Sequence, residues 1–114
     1  DMPKYIANRV EKDNGGSLNG KRVLVIGDAY KPNVADTRET PAGLLINALE
    51  KLGAVVTWND PVVASWHGKH SAALTGVDIA VVVTKHDVVS DSEILKSAPY
   101  VFDTTGKVKG AVQL

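Results

Sequence analysis

The sequence predicts an α/β domain, a parallel sheet with helices on both faces, on three observations. The runs RVLVIG (22–27) and DIAVVVT (78–84) are continuous and β-branched, the mark of strands covered on both sides. Segments of helical periodicity alternate with the strand-like runs. Right-handed crossovers then place those helices on the two faces of a parallel sheet. A chain of 114 residues fits one such domain with a modest core.

The elements follow in order. Met2, Tyr5, Ile6 and Val10 recur at helical spacing, and Pro3 suits a first helical turn. Gly15, Gly16 and Gly20 break that pattern, so DNGGSLNG reads as a linker or turn. The first strand follows. Its connection to the next helix, GDAYKPNVADTRETP (27–41), takes about a dozen residues where a few are usual. Thr40 is placed as N-cap and Pro41 as first helical residue. Ala42, Leu45, Ala48, Leu49 and Leu52 form the apolar stripe of this helix, and Gly53 ends it. AVVTWND is the second strand, stopped by Pro61. Residues 61–76 read as irregular, with a short helix near SAAL. DIAVVVT is the third strand, SDSEILKSA a short helix capped by Ser90 or Asp91, and YVFDT the fourth strand. The tail GKVKGAVQL carries a turn and a last edge element.

Composition removes several function classes. Net charge is +0, so no basic surplus advertises nucleic acid. No apolar run approaches a membrane span, and no basic-then-apolar start marks a secretion signal. With Cys 0, disulfides, a catalytic thiol and a Cys-ligated metal are excluded within this chain. That absence fits the cytoplasm. The chain starts at Asp1, inside the first helix, from which we expect a piece of a longer protein.

In such a sheet, ligands bind outside the carboxyl ends of the strands. The strand ends bring Gly27, Asp28, Tyr30 and Lys31, then Asn59 and Asp60, then Thr84, Lys85, His86 and Asp87, then Asp103, Thr104 and Thr105. Only Gly27 of a G-x-G-x-x-G dinucleotide fingerprint is in place. Lys31 and Arg38, beside the N-terminus of the helix at Pro41, form an anion site. Spacing alone equally allows them to pair with Asp28, Asp36 and Glu39 on a solvated loop. His67 and His70 lack a third metal ligand in reach, and His86 reads as a hydrogen-bonding rim residue. Trp58 and Trp66 read as core or interface. No G-x-S-x-G elbow supports hydrolase chemistry.

The long loop resembles the signature of the C-terminal, UDP-binding domain of the UDP-glucose/GDP-mannose dehydrogenases. The matching residues are Tyr30-Lys31 and Asp36-Thr37-Arg38-Glu39-Thr40-Pro41. Asn59 to Pro61, VVVTKHDVV, VFDTTG and MPKYIANRV resemble further parts of that family. The resemblance implies a Rossmann-like fold, residues 1–17 as the end of an interdomain helix and linker, and 18–114 as the nucleotide-sugar-binding domain.

It also implies a function. Complete members use NAD to oxidise the C6 alcohol of a nucleotide sugar to a carboxylate in two hydride transfers, through a covalent cysteine adduct. An N-terminal domain holds NAD and a central helical region mediates dimerisation. Both are absent here, as is the cysteine, so this fragment is expected to be inactive alone and part of a homo-oligomer when complete. Tyr30 and Lys31 would contact the UDP-sugar, and Arg38 would reach the NAD held by the other domain. Asp36 and Glu39 would orient the loop. Many members carry an arginine where Thr105 stands; Lys107, two residues on, either substitutes for it or marks a different substrate. The loop leans towards members acting on UDP-N-acetylhexosamines.

Two other readings compete. A flavodoxin-like binding module such as a receiver needs an acidic cluster after the first strand and Asp after the third, where Asp28 stands alone and Thr84 follows VVV. A pure interaction domain would use the loop as a protein contact.

Overall fold

The computed structural model describes residues 2–27, 41–59, 65–66, 69–70, 76–83 and 89–114. Helix α1 spans Met2–Asp13 and strand β1 Arg22–Ile26. Helix α2 (Pro41–Lys51) and strand β2 (Val55–Asn59) follow. The short strands β3 (Ser65–Trp66) and β4 (Lys69–His70) precede β5 (Ile79–Val82), α3 (Asp91–Lys96), β6 (Tyr100–Asp103) and β7 (Val112–Gln113).

Among the described residues the main sheet has five strands in the order β2-β1-β5-β6-β7, every pairing parallel. The anticipated parallel α/β sheet is therefore present, and β7 is the expected edge element. Every residue of β5, and every residue of β1 after Arg22, is buried. Side chains alternate between faces, as the pleat requires. Val23, Val25, Ile79, Val81 and Phe102 pack beneath α1 and α2. Leu24, Ile26, Ala80, Val82 and Val101 pack with Ile94 of α3 on the opposite face. Strand β2 alternates buried and exposed residues, which fits its edge position. Trp58 lies in the core.

The helix ends follow local chemistry. Ser90 is the N-cap of α3: its hydroxyl accepts from the Glu93 amide at 3.2 Å, and the Glu93 carboxylate reaches back to the Ser90 amide at 3.4 Å. This reciprocal box satisfies two amides that have no partner inside the helix. Beyond α2, Ala54 N donates to Leu49 O at 3.2 Å and Gly53 N to Glu50 O at 3.0 Å, the Schellman pattern. Gly53 takes φ 92 there, so the expected terminal glycine does the expected work.

Two findings exceed the sequence reading. Ile6, Ala7 and Val10 of α1 are buried in the same cluster as α2 and the sheet, and Leu18, in the stretch that reads as a linker, is 0% exposed beside them. Residues 65–66 and 69–70, in a stretch expected to be irregular, form an antiparallel pair, Ser65 opposite His70 and Trp66 opposite Lys69. The expected helix near SAAL lies outside the described residues.

Candidate functional site

The carboxyl edge of the sheet is stitched by the residues that leave it. Gly27 N donates to Asn59 O at 2.7 Å, Val83 N to Ile26 O at 2.9 Å, Thr104 N to Val82 O at 3.0 Å, and Leu114 N to Asp103 O at 3.2 Å. Strand β1 continues through α2 to β2 on one side, whereas β5 lies on its other side. The strand order therefore reverses between β1 and β5, where a parallel sheet opens its ligand crevice. Gly27 and Val83 are the described residues that leave those two strands.

Tyr30, Lys31 and Arg38 lie outside the described residues, as do Asp28, Asp36, Glu39, Thr40, Asp60, His67 and His86. Of His70 and Trp66 only the backbone is described. Lys107 is described, and its side chain is exposed. Among the described residues, no group of three or more His, Cys, Asp or Glu is placed to hold a metal ion. Within the same limit, no helix is long and apolar enough to cross a membrane.

The turn after β6 is the best-defined polar structure at this edge. Asp103 is 0% exposed. Its Oδ1 accepts from Thr105 N at 2.8 Å and from the Thr105 hydroxyl at 2.6 Å. Its Oδ2 accepts from Val108 N at 2.8 Å. The Thr105 oxygen in turn accepts from Lys107 N at 3.1 Å. Burial pushes the Asp103 carboxyl up, but the bonds from Thr105 and Val108 outweigh it and leave its pKa below the ordinary 3.8. An ionised buried carboxylate thus holds the turn. Gly106, at φ 75, reverses the chain inside it.

The sequence reading lists Asp103 with the polar rim residues. The structure turns it inward, onto the amides and hydroxyl of its own turn, and leaves Lys107 exposed. Thr104 is also committed, its hydroxyl donating to Val82 O at 2.8 Å. Thr105 binds its own turn through both its amide and its hydroxyl. Composition offers no sign of this; the D-T-T-G spacing of a side-chain-capped turn is its one trace in the sequence.

A second feature was not anticipated. An apolar cleft of about 420 Å3 runs along the same edge, between Met2 and Ile6 of α1, Leu44 and Leu45 of α2, and Val83 and Thr104 of the rim. Its lining is mostly apolar, with Thr104 the turn residue that reaches it.

The family model described as the UDP binding domain of the UDP-glucose/GDP-mannose dehydrogenase family matches residues 24–110. The chain is 34% identical over 92 residues to a UDP-N-acetyl-D-mannosamine dehydrogenase of Methanococcus maripaludis, covering 77% of this chain and 22% of that protein. It is 30% identical over 92 residues to a UDP-glucose 6-dehydrogenase of Bacillus subtilis, covering 71% and 20%. The solved structure of a UDP-N-acetyl-mannosamine dehydrogenase from S. aureus superposes with TM-score 0.69 at 26% identity, over 96% of this chain and 28% of that one. The chain therefore spans about a fifth of the length of these curated relatives.

Proposed function

Since the chain belongs to the UDP-glucose/GDP-mannose dehydrogenase family, as its UDP-binding domain, we propose that it is the substrate-holding C-terminal part of an NAD-dependent nucleotide-sugar 6-dehydrogenase. The observation that carries this is the family match over 24–110, which includes the whole loop with Tyr30, Lys31 and Arg38. The reversal of strand order between β1 and β5 supports it, because that loop departs from β1.

In this reading Tyr30 and Lys31 contact the UDP-sugar from one side of the crevice, and Lys107 from the turn after β6. Lys31 and Lys107 act as point charges for phosphate oxygens, and Tyr30 supplies a flat apolar face with a polar tip. Arg38 presents its planar fork to NAD held by another domain. NAD, when bound, would supply the hydride acceptor, one molecule for each of the two oxidations at the sugar C6. This domain does not itself cradle NAD: behind β1 only Gly27 of the glycine fingerprint is present. The covalent cysteine belongs to another part of the protein, since this chain has Cys 0. Residues 1–17 are the end of the helix leading in and its turn, docked on the domain of 18–114. The complete protein works in the cytoplasm as a homo-oligomer, and a UDP-N-acetylhexosamine is the favoured substrate.

Titration of the 114-residue chain with UDP and UDP-sugars, followed by 15N–1H NMR, tests the reading. Shifts are expected from Tyr30 to Arg38 and at 104–107. A spectrum unchanged in both segments at millimolar UDP overturns it.

A further inference from the structure

We propose that Asp103 and Thr105 are positioning residues for Lys107, a buried carboxylate and a bridging hydroxyl that hold its backbone so that its ammonium stands ready for a phosphate-bearing ligand. The proposal rests on the reading of Lys107 as a UDP-sugar contact.

The geometry is specific to Lys107. Its own amide donates to Thr105 Oγ1 at 3.1 Å, and the next amide, of Val108, donates to Asp103 Oδ2 at 2.8 Å. Both peptide units flanking the Lys107 Cα are therefore held, so the direction in which the side chain leaves the backbone is set. The Thr105 hydroxyl works in both senses, donating to Asp103 Oδ1 at 2.6 Å while accepting from Lys107. Val108, 1% exposed, anchors the far end in the core beneath α3. Lys107 itself is exposed. The result is an outward cation on a rigid root.

A buried carboxylate is a costly way to close a turn, because a charge leaves water for it. Four hydrogen bonds around one lysine root give that cost a purpose. A lysine is otherwise a poor substitute for an arginine, since its flexible stem loses entropy on each contact. Holding the root lessens that loss and places the charge where binding needs it.

The test is a double-mutant cycle on the 114-residue chain, reading the Kd for UDP by NMR titration or calorimetry. Lys107→Ala is expected to weaken UDP binding about tenfold, the scale of one hydrogen bond to a charged group. Thr105→Val, which keeps the shape and removes the hydroxyl, is expected to weaken it several-fold, and Thr105→Ser to restore it. In the Lys107→Ala background, Thr105→Val should have no further effect on Kd. Hydrogen exchange adds an independent readout: Thr105→Val should release the Lys107 amide while amides in β1 and β5 stay protected. If Thr105→Val weakens binding equally with and without Lys107, or leaves Kd unchanged, the positioning role is overturned. If UDP binds but Lys107→Ala leaves Kd unchanged, the Lys107 contact fails and the proposal with it. If the wild-type chain does not bind UDP, the substrate-holding reading on which the proposal rests fails. Should Thr105→Val melt far below the wild type, Thr105→Ser against Thr105→Ala in the same cycle decides.

Discussion

The phenol of Tyr100 donates a 2.7 Å hydrogen bond to Asp13 Oδ2, joining the first residue of β6 to the last residue of α1. Asp13 also takes Arg9 Nε at 3.2 Å, and the Arg9 guanidinium stands 5.4 Å from the centre of the Phe102 ring. Helix α1 is thus fastened to the sheet by polar contacts at its end as well as by Ile6, Ala7 and Val10.

Removing the phenol oxygen should loosen that attachment. Burial, then the bond to Asp13, push the Tyr100 pKa above the ordinary 10.0. A raised pKa contributes stability that is present below about pH 10 and is lost as pH rises beyond it. Tyr100→Phe is expected to lower Tm by a few degrees at neutral pH. The gap between the two proteins should narrow in alkali. Thermal melts across pH measure both, and an unchanged Tm at pH 7 would contradict the fastening.

Leu18 tests whether the glycine-flanked stretch is passive. Leu18 is 0% exposed in the cluster shared by α1, α2 and the sheet. Leu18→Ala is expected to cost about 2–5 kcal/mol, as for other buried leucines. The exposed neighbour Ser17 should tolerate alanine within about 0.5 kcal/mol. Urea unfolding of the pair would show it; equal midpoints would mean that the stretch is a mere connector.

Asp103 should shape the acid limb of stability. Its folded pKa lies below the unfolded value, so its contribution is present above about pH 4 and is lost as pH falls through the folded pKa. Asp103→Asn is expected to be less stable at pH 7 and to show a shallower loss of stability below pH ~4. Some slope remains, because Asp13 and Asp78 are also lowered. Urea midpoints from pH 2 to 7 check the sign, and parallel curves for variant and wild type would refute it.

Two glycines with positive φ should differ in cost. At Gly106 a new Cβ meets nothing within 4 Å, so Gly106→Ala carries only backbone strain, about 1 kcal/mol. At Gly53, with φ +92, the same atom would sit 2.9 Å from Asn19 Oδ1 and 3.0 Å from Asn19 Cα. Gly53→Ala should therefore cost more, by about 1–3 kcal/mol beyond the strain. Denaturant unfolding of both variants ranks them, and the reverse order would contradict the packing.

Much of this was legible in the residues. The runs 22–26 and 79–82 announce fully buried strands because both faces are apolar, and parallel strands need exactly that cover. Pro41, Gly53 and Ser90 mark helix ends through backbone chemistry that acts over a few positions. The loop signature marks the family through residues 30–41, again a local pattern.

What the sequence by itself determined was the alternation of elements, their end signals and the family motif, all properties of neighbours in the chain. Only the tertiary structure decided that Leu18 is core, that Tyr100 meets Asp13, that an apolar cleft borders the rim, and that Asp103 turns inward to hold the root of Lys107. Three of these join residues far apart in the chain, where no periodicity reports contact. The fourth, Asp103, is local in sequence, yet its inward turn follows from burial between β5 and β7, which only the assembled sheet supplies.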